Sequence, residues 1–376
     1  MAKVGIMSMQ RIANYGSFLQ AYGLNALLEG MGQEAEFVDY HVGRPVMSAG
    51  TKPLTPVGRK LSKLREAMGY DATVRQRLQF VLYKKNFAAR YHGELGLDRE
   101  PNYLPKLDVL LIGSDEVFNC IQQNQMVGFS PELFGAGHRA EKLVSYAASF
   151  GNTTLEKLEK YGKVKEVAEA LQGFDAISVR DRNSGEIVRE LSGREPEYHL
   201  DPVLIYDFMG KCKRIPDLVQ KEKYLILYAY SGRVSPEEAE WIRQYARAKG
   251  WKVYAIGGVH RCADRFIDCS PFEVLSYFRH AEEVITDTFH GTIFSIIARR
   301  RFVTITRRSI GDSYGNEEKL TDLLERLGLE CRQVWDIHKA GDILETEIKY
   351  GETEEILQRE QRKSQVYLHN ITGGKC

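Results

Sequence analysis

At 376 residues the chain exceeds one ordinary compact core, so two domains are expected. A make-up of 43% hydrophobic, 27% charged and 10% aromatic residues is that of a water-soluble globular protein. The formal net charge of +1 excludes the chain-wide basic balance of a non-specific nucleic-acid binder, so no nucleic acid is expected among the partners.

The opening MAKVGIMSMQRIANYG has no long apolar core or small-residue cleavage site, and the longest apolar runs fall far short of the roughly 20 residues that span a bilayer. Six cysteines without Cys-x-x-Cys spacing read as reduced thiols, with neither a metal site nor a disulfide framework. The expectation is a cytoplasmic protein, working at the inner face of the membrane if its substrate is carried there.

Residues 3–8 predict a strand. Ser17 is then read as a helix N-cap, with Phe18, Ala21, Tyr22, Leu24, Leu27 and Leu28 at helical spacing over 18–29. EAEFVDY supplies a second strand and completes a βαβ unit with a right-handed crossover. From Thr51 to about Tyr103 the chain is basic and helical, and its stretch RQRLQFVLYKKNFAARY reads as a covering helix with a solvated face, the other option being a membrane surface. Strands resume with LDVLLIG (107–113), KLVSYAAS (142–149) and AISVR (176–180), and EYHLDP ends another at Asp201-Pro202. Residues 206–223 read as a linker. KYLILYAY, WKVYAIGG, EVITDT and RFVTIT then alternate with helices, one of them starting at Thr292, and two more helices close the chain. The fold class predicted is α/β: two Rossmann-like domains with mainly parallel sheets around a central cleft. Their bounds are 1–205, with a helical insertion around 51–103, and 206–345, with a C-terminal helix and tail over 346–376 packing back on the body.

Ligands of open α/β sheets bind beyond the carboxyl ends of the strands. That rule selects Asn14, Gly16 and Ser17 after the first strand, Ser114 and Asp115 after LDVLLIG, Arg180 and Asp181 after AISVR, and in the second domain the segments YAYSGR and GGVH and the turn TDTFHGT. In that turn Asp287 and Thr288 end a strand, His290 and Gly291 form the corner, and Thr292 opens a helix whose free N–H groups suit an anion. His290 can bind phosphate or donate a proton. Arg180 offers a guanidinium fork to a carboxylate or phosphate.

These segments, in this order, resemble the polysaccharide pyruvyl transferase family. The residues that carry the likeness are NYGSFLQAYGL, IGSDEVFN, SYAASFG (145–151), SVRD, Asp201-Pro202 and TDTFHGTIFS, and it covers roughly 3–328. Glu116 and Phe118 stand where the family commonly has Gln and Trp, Thr288 where it has Ser, and Lys319 where it tends to have Arg.

The resemblance implies a GT-B-like arrangement of the two domains. It also implies phosphoenolpyruvate as donor, a sugar or lipid-linked oligosaccharide of a surface polysaccharide (such as an exopolysaccharide) as acceptor, and a pyruvate ketal as product, without cofactor or metal. His290, Asp115 and Arg180 are then the catalytic candidates, with His290 as acid and Asp115 as base. Arg180, Asp287, His290, Gly291 and Thr292 are the donor-binding candidates. Asn14, Gly16, Ser17 and Ser114 lie on the acceptor side. A GT-B glycosyltransferase using a nucleotide sugar and a non-catalytic glycan-binding protein are the alternatives. Peripheral membrane association and a homo-oligomer are carried as open partner options. The basic run Arg299, Arg300, Arg301, Arg307 and Arg308 reads either as a solvated edge or as a surface for an anionic acceptor.

Overall fold

A computed structural model describes residues 1–48, 58, 65–97, 100–122, 124–308 and 315–373. Among them two six-stranded parallel sheets form. The first holds β1 (Lys3–Met7), β2 (Glu34–Phe37), β3 (Lys106–Asp115), β4 (Arg139–Ala148), β5 (Ser178–Val179) and β6 (Glu197–Tyr198), in the order β2-β1-β3-β4-β5-β6. The second holds β7 (Tyr224–Tyr228), β8 (Lys252–Ala255), β9 (Arg265–Phe266), β10 (Glu283–Thr286), β11 (Arg301–Ile305) and β12 (Gln333–Val334), in the order β12-β11-β10-β7-β8-β9. Register is set by apolar runs buried on both faces, as at Ile6 opposite Leu111 and Val284 opposite Ile226. In each sheet the winding reverses once, between β1 and β3 and between β7 and β10. Such a reversal opens a crevice at the carboxyl ends of the two central strands. The two crevices face each other.

The helices that shape this crevice are α1 (Tyr15–Gly30), α2 (Val74–Tyr91), α3 (Arg182–Ser192), α4 (Pro236–Ala248), α5 (Pro271–His280), α6 (Phe289–Ile297), α7 (Glu317–Arg326) and α8 (Tyr350–Ile371). Capping boxes start α4 (Ser235 with Glu238) and α5 (Ser270 with Glu273), each with proline in the first turn. The 206–223 stretch, expected as a linker, contains a short helix, Phe208–Lys211, whose Phe208 is buried in the core. Asp201, expected to end a strand, caps the short helix Pro202–Ile205.

Two helices cross between the lobes in opposite directions. α2 precedes β3 in the chain yet packs on the second lobe: Gln76 Nε2 donates to Ala263 O (3.0 Å), Phe80 and Tyr83 meet the Phe266 ring, and Arg90 grips Asp268. Gln76, Phe80, Tyr83, Phe87 and Tyr91 form the buried face of this basic stretch, as in a covering helix, while Val74, Leu78 and Leu82 are exposed. α8 returns to the first lobe, where Tyr367 Oη donates to Ser145 O (2.7 Å) and Lys363 Nζ to Tyr198 O (2.8 Å). α1 lies at the junction, with Phe18 and Tyr22 edge-on to Phe272 and Tyr15 Oη donating to Cys269 O. Each such buried aromatic contributes roughly 1.5–3 kcal/mol, so the crevice sits on a rigid base. No helix among the described residues is long and apolar enough to cross a membrane.

Candidate active site

The facing crevices enclose a cleft of about 390 Å³ lined by residues of both lobes. Its floor is fixed by a buried polar network at the β1/β3 reversal. Ser8 Oγ donates to Ser114 O (2.9 Å), Gln20 Nε2 to Ser8 Oγ (2.8 Å), and Ser114 Oγ to Gln20 Oε1 (2.9 Å). These bonds satisfy groups that would otherwise be costly to bury.

Above the floor, Asp115 lies in the left-handed backbone region at φ 78°, a conformation uncommon for residues other than glycine. Its carboxylate accepts from Ser17 Oγ (2.8 Å), from the Glu116 N–H (2.9 Å) and from Arg180 Nη2 (3.3 Å). The Arg180 side chain is only 2% exposed. It donates through Nη1 to Asp201 Oδ2 (3.1 Å) and stacks on the Phe289 ring at 4.4 Å. Burial opposes the charge on Asp201, but His290 and Arg180 outweigh it and hold the carboxyl below the usual carboxylate range.

From the other lobe, β10 delivers Thr288 as the N-cap of α6, its Oγ1 accepting from Gly291 N (2.9 Å). The amides of Phe289 and His290, first and second in the helix, have no intrahelical acceptor and start at the cleft, where the helix dipole is positive. The His290 ring lies against the start of α1. A Cβ built on Gly16 would stand 2.2 Å from both Cγ and Nδ1 of His290. Only glycine permits that approach, which explains the glycine in NYG: it receives a histidine from the opposite lobe. Asn14 caps α1 by accepting from Gly16 N (2.8 Å) and donates through Nδ2 to Tyr230 Oη (2.6 Å), so the same turn is tied to the second lobe again.

Four cationic side chains line the cleft, Lys84, Arg180, Arg233 and Lys319, against the carboxylates Asp115 and Glu116. Lys84 Nζ donates to Ala13 O (2.6 Å) and Lys319 Nζ to Glu116 Oε1 (2.8 Å). Burial pushes the Glu116 carboxyl up, but Lys319 and Arg180 outweigh it and bring it down to about 2. The arrangement is suited to a small polyanion between two lobes.

A family model for polysaccharide pyruvyl transferase matches residues 14–309. The chain belongs to the polysaccharide pyruvyl transferase family. No curated protein matches its sequence. Among solved structures, a protein described as a UDP-N-acetylglucosamine 2-epimerase from Listeria monocytogenes aligns with TM-score 0.50 at 10% identity, over 98% of this chain and 95% of that one. The Streptomyces sp. SF2575 glycosyltransferase SsfS6, complexed with thymidine diphosphate, aligns with TM-score 0.45 at 14% identity over the full length of both. The likeness to the first shows the fold, two Rossmann-like lobes in a GT-B-like arrangement. Membership of the pyruvyl transferases makes the chain a transferase acting on polysaccharide.

Of the family residues singled out from sequence, Asn14, Ser17, Asp115, Arg180 and His290 line one cleft, with Gly16 against His290. Ser114 does not; its hydroxyl is turned to Gln20 behind the floor. Asp287 is fully buried, receives Arg307 Nε at 3.4 Å and is not part of the cleft lining. Burial pushes its carboxyl above the usual range, against Arg233, Arg307 and His260. Gly291 and Thr292 do not face the cleft either. A Cβ on Gly291 would stand 2.1 Å from Thr286 Oγ1, and the Thr292 hydroxyl donates to Thr288 O (3.0 Å). The helix begins three residues earlier than Thr292 because Thr288 caps it. Likewise Asn14, extended at φ −149°, caps α1 in place of Ser17.

Lys84 was not among the candidate residues; Tyr230 and Arg233 fall in the strand-end segment YAYSGR and Asp201 in the Asp-Pro pair, with no role assigned to any of the three. Lys84, four residues after Phe80 and next to Tyr83, is half-buried at the edge of the packed face of α2, a signal present in the sequence. Arg299 and Arg301 of the basic run pair with Glu354 (2.7 Å) and Glu283 (3.2 Å). Arg300 donates to the Ala298 and Ala281 carbonyls, Arg307 grips Glu238, and Arg308 stacks on Trp335. These partners favour the structural reading of the run. Among the described residues no group of three or more His, Cys, Asp or Glu is placed to hold a metal ion.

Proposed function

We propose that the cleft binds phosphoenolpyruvate and transfers its three-carbon unit to two hydroxyls of one sugar in a surface polysaccharide or its lipid-linked precursor, as a ketal. The observation that supports this most is the convergence of His290 and Arg180 from opposite lobes on one cationic cleft that also receives two open helix amides. Phosphoenolpyruvate carries a phosphate and a carboxylate, and Arg180, Arg233 and the amides of Phe289 and His290 match them.

In the proposed chemistry the His290 imidazolium gives its proton to the methylene carbon. The enol π pair forms the new C–H bond and leaves a cation on the central carbon, shared with its ester oxygen. One sugar hydroxyl attacks that carbon and passes its proton to Asp115. The second hydroxyl then displaces phosphate: its C–O bond forms, the bond to the phosphate oxygen breaks, and its proton leaves with the phosphate or returns to the imidazole. Atoms balance as donor plus diol giving ketal plus inorganic phosphate, with no redox change and no cofactor required.

The test is phosphate release from phosphoenolpyruvate with a panel of free, nitrophenyl and lipid-linked sugars, with the product examined by mass spectrometry. Sugar-dependent release and a ketal mass, both lost in His290→Ala, are expected. Release that is sugar-independent, or unchanged in that variant, would refute the assignment.

A further inference from the structure

His290 has two ring nitrogens, and the geometry separates their duties. Nε2 is fully buried, makes no hydrogen bond, and lies 3.5 Å from Asp201 Oδ2. Nδ1 lies at the other edge of the ring, beside the backbone of Gly16, on the side that a Cβ there would cover. We propose that Asp201 is the positioning residue of a carboxylate–imidazole pair. It holds Nε2–H and thereby makes Nδ1 the nitrogen that exchanges protons with substrate. The inference rests on the reading of His290 as proton donor.

Asp201 is built for the task. Its side chain is 0% exposed. Oδ1 accepts from Val203 N (3.0 Å), the amide that the Asp-Pro turn presents, while Oδ2 accepts from Arg180 Nη1 (3.1 Å). Two bonds thus fix the carboxylate plane before it meets the imidazole. Catalytic hydrogen bonds of this length are common before substrate binds and shorten in the complex. A carboxylate at one nitrogen fixes the tautomer and stabilises the imidazolium. The depression of the Asp201 carboxyl described above keeps it ionised for that role.

Among the described residues, Asp201 is the carboxylate within ion-pair distance of His290. Arg180 approaches from the same lobe through the Phe289 ring. Asp115, Glu116, Lys84, Arg233 and Lys319 are the other charged groups of the cleft. This also gives Gly16 and Asp201, from separate motifs, one purpose: the first leaves Nδ1 open and the second occupies Nε2.

The test uses the full chain with nitrogen-15-labelled histidine. In wild type the neutral His290 ring is expected as the Nε2–H tautomer; an Nδ1–H tautomer overturns the proposal without any variant. In Asp201→Asn, which is near-isosteric and retains an acceptor for Val203, that Nε2–H preference is expected to be lost and kcat to fall, while the dissociation constant of phosphoenolpyruvate should change by less than about threefold. A folded variant that keeps the wild-type tautomer and kcat overturns the proposal. If wild type releases no phosphate at all, the pyruvyl-transfer reading fails, while the tautomer still decides the pairing.

Discussion

Gly16→Ala separates catalysis from stability more cleanly than any other single change here. Gly16 is the second residue of α1, where alanine is intrinsically the better helix former by roughly 0.5–1 kcal/mol. Nothing in helix propensity opposes the substitution. The new methyl, however, would sit 2.2 Å from Cγ and Nδ1 and 2.7 Å from Cβ of His290, so the imidazole must retreat by about 1 Å to reach ordinary contact. It cannot retreat freely, because Asp201 lies behind Nε2 and Phe289 and Phe294 flank the ring. The expected outcome is a fold whose stability changes by less than about 2 kcal/mol and a kcat/KM lower by about 100-fold, the typical cost of a 1 Å misplacement. Phosphate release and chemical denaturation measure the two quantities. In a His290→Ala background the same change should cost nothing further, since both act through one ring. Near-wild-type turnover of the single variant, or additive losses in the double, would refute this account of Gly16.

Arg180→Lys keeps the charge but loses the fork, so phosphoenolpyruvate binding measured by calorimetry should weaken by roughly 1.5–3 kcal/mol; an unchanged dissociation constant would confine Arg180 to its bonds with Asp115 and Asp201. The Glu116 carboxyl, at about 2 in the fold, lies below its unfolded value of about 4.3. Its stabilising contribution is therefore present above that unfolded value and drains as pH falls from about 5 toward 2. Denaturation of Glu116→Gln near neutrality and at about pH 3 should show a flatter decline than wild type, and an equally steep decline would exclude the Lys319 pair as its source. Arg307→Gln removes the charged hydrogen-bond donor of the fully buried Asp287, with Arg233 and His260 still near it, and should cost roughly 1.5–3 kcal/mol of stability. The acceptor KM and its salt dependence should stay unchanged, and a salt-sensitive rise for a charged lipid-linked acceptor would restore a binding role for the basic run.

The alternation of strands and helices was legible because each core strand is a short apolar run between polar turns, and each major helix carries a stripe or a capping box. Strands β9 and β12, two residues each, were not; β5 and β6 are as short and were read only within the longer runs AISVR and EYHLDP. Strand-end reasoning found Asp115, Arg180 and His290 because the crevice rule needs only strand ends, not side-chain directions. It failed at Ser114 and Thr292, whose hydroxyls turn inward to Gln20 and Thr288. Sequence cannot reveal which way a small hydroxyl points when caps and cores compete for it. Asp201 was read as a strand end because its partners, Arg180 and His290, are 21 and 89 positions away and meet it only in the folded chain.

The most direct test of the central claim is thermal unfolding of the wild-type protein with phosphoenolpyruvate, compared with a nucleoside diphosphate sugar at equal concentration. A ligand at 100 times its dissociation constant stabilises the fold by about 2.7 kcal/mol. A rise in Tm with phosphoenolpyruvate that is reduced in Arg180→Lys, and no rise with the nucleotide sugar, is expected. Stabilisation by the nucleotide sugar alone would contradict the claim.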